Sequence, residues 1–130
     1  MKRKGLVVVA ATVLLLSLAA ALGFAEYDKA AMQKVMQNNV ANLPKLTAAA
    51  NAGNFMEAAG YLISMSQGMY SIKDYEPVKG EDAHFKATVE DFLKSAFRGL
   101  AACADGNKEA LQAAIAKMVA DRNEGHAQHR

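Results

Sequence analysis

The stretch FKATVEDFLKSAFRGLAACADGNKEALQAAIAKM, residues 85–118, decides the fold. Phe85, Val89, Phe92, Ala96 and Leu100 recur at intervals of three and four, the spacing that lays side chains along one face of an α-helix. This predicts a helix from about Glu81 to Ala104. Asp105-Gly106-Asn107 then breaks the pattern: a glycine accepts the left-handed backbone that ends a helix, and an asparagine side chain can cap the next one. Leu111, Ile115 and Met118 resume the same periodicity, and the helix they define is expected to continue to the terminus. Two amphipathic helices joined by so short a turn are forced to be neighbours.

Working back toward the amino end, two more helices follow. One spans about Asp28 to Ala50 and stops at Asn51-Ala52-Gly53-Asn54. Asn54 can cap the other, which carries Phe55, Ala59, Leu62, Ser66 and Met69 on one side and ends near Ile72. A longer polar connection, Lys73 to Gly80 with Pro77 inside it, leads to the third helix. High alanine content, two prolines and no alternating β-pattern make the chain all-α, an antiparallel up-down-up-down four-helix bundle. In that topology the start of the first helix and the end of the fourth lie at the same end.

The first residues belong to a different class. Lys2-Arg3-Lys4 precedes an unbroken apolar run from Leu6 to Ala21, and Gly23-Phe24-Ala25 places small residues where a signal peptidase needs them. Residues 1–25 therefore read as a cleavable signal peptide and 26–130 as the exported, periplasmic domain, with no stable membrane anchor after processing. The apolar run is near the short limit for a spanning helix. Of the 15 Lys and Arg, three lie in this leader, which leaves 12 against 13 Asp and Glu. The basic pI of about 8.7 belongs to the precursor. The remaining domain has no basic, aromatic-interleaved surface that would argue for nucleic acid.

Cys103 is the single cysteine, so no internal disulfide holds the exported domain together, and the residue reads as a small apolar filler on the stripe of Phe85, Phe92 and Ala96. No Cys-x-x-Cys-His is present, which excludes the usual covalent attachment of haem. No serine, cysteine or carboxylate constellation supports hydrolysis, and the chain is not expected to be an enzyme. Glu81-Asp82-Ala83-His84 is a lone Glu-x-x-His, where a di-iron bundle needs two plus further glutamates.

Two soft donors remain. His126 falls on the inward stripe of Leu111, Ile115 and Met118, and Met36 on that of Met32, Val40 and Leu43. Taken singly, Met36 is ordinary core filler, Phe85 a core aromatic, Arg122 and Arg130 surface charges, and His126 a solvated side chain near a terminus. Taken together, a neutral imidazole and a thioether across a bundle suit a haem iron held from both sides, with Phe85, Phe92, Phe55 and Leu43 as walls and Arg122 and Arg130 meeting propionates at the mouth.

The region from Phe85 to Arg130, with Arg122-Asn123, His126 and the terminal Arg130, resembles the cytochrome b562 family without a gap. Met36, Asn42-Leu43, Leu46 and the Asn51 turn fall in that family's register in the first helix. The resemblance, with cytochrome c′ more distant, implies one non-covalent haem b, Met36 and His126 as axial ligands, Phe85 beside the porphyrin, and Arg122 and Arg130 near its edge. It implies a periplasmic electron carrier serving redox partner proteins still to be identified. The chain departs from that pattern at Gly125, expected to loosen the turn presenting His126; at His129, a rival donor about 60° away at helical pitch; at Asn39, a polar residue on an inward site; and at Pro44, expected to kink the first helix. Two other readings stay open: a five-coordinate haem protein that binds or senses gas, as in cytochrome c′, and a haem-free interaction module.

Overall fold

A computed structural model describes residues 29–74 and 82–129. The leader, its cleavage point, Glu81, the connection from residue 75 to 80 and Arg130 lie outside them, as does the side chain of His129. Four helices account for almost all of the rest: α1 (Lys29–Asn51), α2 (Phe55–Ile72), α3 (Asp82–Asp105) and α4 (Lys108–His129). No strand occurs among the described residues, and no helix among them is long and apolar enough to cross a membrane. Each helix packs on its neighbour in sequence, and α1 also packs on α4.

The turns form as their residues dictate. Gly53 (φ +70°) and Gly106 (φ +64°) adopt the left-handed backbone that terminates α1 and α3. At each, a pair of hydrogen bonds closes the last turn: Asn54 N–H to Ala49 O (2.9 Å) with Gly53 N–H to Ala50 O (3.1 Å), and Asn107 N–H to Ala102 O (2.9 Å) with Gly106 N–H to Cys103 O (3.2 Å). The following asparagines cap the next helices. Asn107 Oδ1 accepts from Ala110 N–H at 3.0 Å, and Asn54 Oδ1 accepts from Glu57 N–H while its own amide donates to Glu57 Oε2 at 2.7 Å.

The core is built from the inward stripes, with Leu46, Leu62, Met65, Ile72, Val89, Leu111 and Met118 almost fully buried. Each large aliphatic side chain so buried contributes about 1.5–3 kcal/mol. Polar and close contacts link the helices side by side. Asn38 Nδ2 donates to Ser64 Oγ at 3.4 Å, while Val35 meets Gly68; Gln112 Nε2 donates to Asn51 Oδ1 at 2.9 Å.

Three expectations about facing change. Val40 is 57% exposed although it still borders the space among the helices, whereas Asn39, at 7%, is buried on the inward site where the sequence placed it. The inward set is Met32, Met36, Asn39, Leu43 and Leu46, and one further residue turns a side chain about 100° away from that line. In α2, Ala58 is fully buried where Ala59 was expected to be, and Cys103 is only part-buried at the edge of the core. Helix α1 also runs on through Pro44 to Asn51. The proline lacks the N–H that would bond the Val40 carbonyl, but both residues are exposed and water can satisfy that oxygen.

Candidate functional site

One end of the bundle is not filled by its side chains. A cavity of about 790 Å³ lies among all four helices, bounded by Lys29 at the start of α1 and His126 near the end of α4. That volume falls within the range of cofactor and drug-sized sites, about 300–1,000 Å³. Five methionines line it, Met32, Met36, Met65, Met69 and Met118, together with Phe85, Val89 and Phe92. Unbranched thioether chains conform to whatever lies beside them rather than interlocking as branched residues do.

Five of the six residues singled out from the sequence line this one cavity: Met36 and Leu43 from α1, Phe85 from α3, and Arg122 and His126 from α4. Arg130 lies outside the described residues. Met36, Arg122 and His126 are part-buried and Phe85 is buried. Phe92 also lines the wall, whereas Phe55 belongs to the edge of the core and is not part of the cavity lining. Sequence reasoning read Met69 and Met118 as inward stripe residues, and did not single out Met65, Thr88 or Asp121.

The charged groups are distributed unevenly. Asp121 is 2% exposed on the cavity wall, where Ser95 Oγ donates to Oδ2 at 3.2 Å and Lys117 forms an ion pair with Oδ1. The hydrogen bond to Asp121 raises the pKa of Lys117, which keeps the ammonium charged at neutral pH. Arg122 and Lys29 add two cations to the lining, and Arg122 has no ion pair with a described residue. An anionic edge of a ligand would find its counter-charge there.

The turn that carries His126 lies close against α3. A Cβ added to Gly125 would stand 2.8 Å from the Thr88 methyl group, closer than carbon atoms tolerate. Thr88 cannot turn that methyl away freely, because its hydroxyl donates to the His84 carbonyl at 2.9 Å. Gly125 thus leaves room for α4 to approach Thr88 of α3 closely. One turn away, His84 Nε2 lies 3.7 Å from Glu124 Oε1, a second link between these helices. Gly125→Ala is expected to lower unfolding stability by about 1 kcal/mol net, because overpacking costs more than alanine's helix propensity returns. Adding Thr88→Ser, which removes the methyl and keeps the hydroxyl, should restore it in urea denaturation. A single Gly125→Ala variant more stable than the parent would refute the contact.

Other chemistry finds less support in the geometry. Among the described residues no three His, Cys, Asp or Glu side chains converge on one point. A porphyrin iron needs no such cluster, since the ring supplies four donors and the protein one or two. Burial raises the pKa of the Cys103 thiol, which suits a packing residue rather than a reactive thiolate. Neither family models, nor curated proteins, nor solved structures contain a match to this chain.

Proposed function

We propose that the chain is a non-covalent haem b protein of the cytochrome b562 type, an up-down-up-down antiparallel bundle that carries electrons in the periplasm after its leader is removed. The observation that carries this reading is the meeting of Met36, from the first helix, and His126, from the last, on one apolar cavity of about 790 Å³. The opposed order of the contact pairs Asn38 with Ser64 and Val35 with Gly68 supports the antiparallel course of the first two helices. Ser95 with Asp121 and Thr88 with Gly125 support it for the last two.

In this reading His126 and Met36 would hold the haem iron. Imidazole is the stronger σ-donor, and the uncharged thioether favours the reduced metal. Bound haem supplies a one-electron Fe(II)/Fe(III) couple. Phe85, Phe92 and the methionine wall exclude water, which limits the reorganisation accompanying a change of charge. Arg122 and Lys29 face the carboxylate edge, and the Lys117 pair keeps the charge of Asp121 compensated beside the cavity.

Titrating purified mature protein with hemin tests the reading directly. A saturable one-to-one complex with a low-spin spectrum is expected, and Met36→Ala should convert it to a form lacking the sixth ligand. No Soret shift in the parent would rule out haem, and an unchanged spectrum in the variant would remove Met36 from the site.

A further inference from the structure

Helix α2 carries one charged residue, Glu57, in 18, against seven in the 24 of α3 and six in the 22 of α4. Its outer face is apolar instead. Of the large hydrophobic side chains exposed among the described residues, Val40 borders the cavity, and three others belong to α2: Met56 (88%), Ile63 (47%) and Tyr70 (62%). They recur every seven residues and so form one line along the helix. Ser64 and Gly68 mark the flank of α2 that meets α1, through Asn38 and Val35, and the line lies about 120° round from it, toward α3. Phe97 of α3, 55% exposed, stands on the flank opposite Ser95 and Thr88, which face α4. Leu62 meets Gly99, so Ile63 and Phe97 stand at about one level, and the four side chains make one patch on the α2/α3 side. A glycine on the same face has no role within the chain. Gly68, Gly99 and Gly125 each leave room for a neighbour, Val35, Leu62 and Thr88, whereas a Cβ on Gly60 would meet nothing within 4 Å. Glycine weakens a helix interior relative to alanine, and at Gly60 nothing inside the monomer offsets that loss.

We propose that this patch is the contact of a homodimer, in which two copies of the mature chain lay their α2 helices antiparallel with Ile63 at the twofold axis and Phe97 beside it. The inference is independent of the haem reading. The pattern is self-complementary, as an isologous interface must be: Met56 and Tyr70 stand equally far from Ile63, so each Met56 meets the partner's Tyr70. The same register brings Gly60 within about a residue of the partner's Gln67, a long side chain against an open position. A parallel register sets glycine on glycine and aligns the two helix dipoles unfavourably. No charge on the line has to be stripped of water, in keeping with the depletion of charge at interface centres. At about 200 Å² for a fully open side chain of this size, the four exposures amount to roughly 500 Å² per copy, so the pair buries about 1,000 Å² from them alone, the lower bound of a specific interface, and the residues around them widen it. A lipid surface fits less well, because helices that lie on bilayers flank their apolar face with Lys and Arg, and α2 has neither.

Sedimentation equilibrium of the haem-free mature protein tests this. The mass is expected to rise with concentration to twice that of the chain, half-associated at or below about 10 μM, since interfaces of this size run from micromolar to far tighter. Ile63→Lys places two ammonium groups together at the axis and should leave a monomer at every concentration. Ile63 is already about half exposed and a lysine stem can lie along the same surface, so the variant keeps its fold, which an unchanged far-UV spectrum verifies. Met56→Lys and Tyr70→Glu should each weaken the dimer, and the two combined in one chain should recover at least about threefold over either alone, because the antiparallel register pairs the new charges twice. A parent that stays monomeric at about 200 μM, far above the weakest association expected, overturns the proposal. So does an Ile63→Lys variant that dimerises like the parent. A double variant weaker than both singles overturns the antiparallel register, and a monomeric parent that floats with phosphatidylcholine and phosphatidylglycerol vesicles assigns the face to a membrane instead.

Discussion

Replacing His126 with alanine is expected to weaken hemin binding by more than about 100-fold, since loss of an outer-shell partner alone costs 10–100-fold and this residue is the proposed direct donor. The other donors on the cavity wall are thioethers, which bind ferric iron weakly, and the Asp121 carboxylate, which is already engaged by Ser95 and Lys117. His84, the other histidine whose side chain is described, is not part of the lining and is linked to Glu124. The substitution leaves a space of imidazole size in an existing cavity. Free imidazole added to the variant should therefore restore a low-spin spectrum, a result that an unfolded protein cannot give. Hemin binding by His126→Ala with parental affinity and spectrum would move the ligand elsewhere and leave only the scaffold.

The scaffold itself was readable because helix boundaries are local chemistry. Gly53 and Gly106, each followed by an asparagine, end one helix and cap the next through atoms that lie within a few residues of one another. The observed ends fall within a residue or so of those expected from the pattern alone. Facing was less readable where two neighbouring residues compete for the inner line. Val40 is the apolar candidate in α1 and Asn39 the polar one, yet Asn39 is the buried residue. Both line the cavity, but the Asn39 side chain turns further in, a difference of degree that hydropathy ranks the other way.

The cavity was not readable at all from any single helix. Met65, Met69 and Met118 have the spacing of core residues and are buried as core residues are. Whether four such stripes close on one another or leave a void depends on summed volumes across the bundle, a quantity that no one-dimensional pattern contains. Gly125 shows the same limit in the opposite direction. Helix propensity counts its backbone entropy as a loss, while its benefit is the approach to Thr88 on another helix. Met36 and His126, by contrast, were expected at one end of the bundle from the sequence, and both line the one cavity.

A bundle that leaves one end open should depend heavily on the packing at the other, and Leu62 tests this. Leu62 is fully buried on α2, lies outside the cavity lining, and presses against Gly99 of α3, where an added Cβ would meet its Cδ1 at 3.0 Å. Ala114 of α4 approaches the same point, so three helices converge there. Leu62→Ala is expected to destabilise the haem-free protein by about 2–5 kcal/mol, because helices gathered that closely cannot collapse into the space left behind. For a domain of this size each 1 kcal/mol lowers Tm by about 4–8 °C, and total stability is only about 5–15 kcal/mol, so the variant stands near the edge of folding. Hemin at about 100 times its Kd returns about 2.7 kcal/mol to any state that binds it, which should restore much of the lost Tm while leaving the spectrum of the complex unchanged. A variant that melts with the parent would show that Leu62 is not a packing centre. One that folds but no longer gains stability from hemin would show that the two ends of the bundle are not independent.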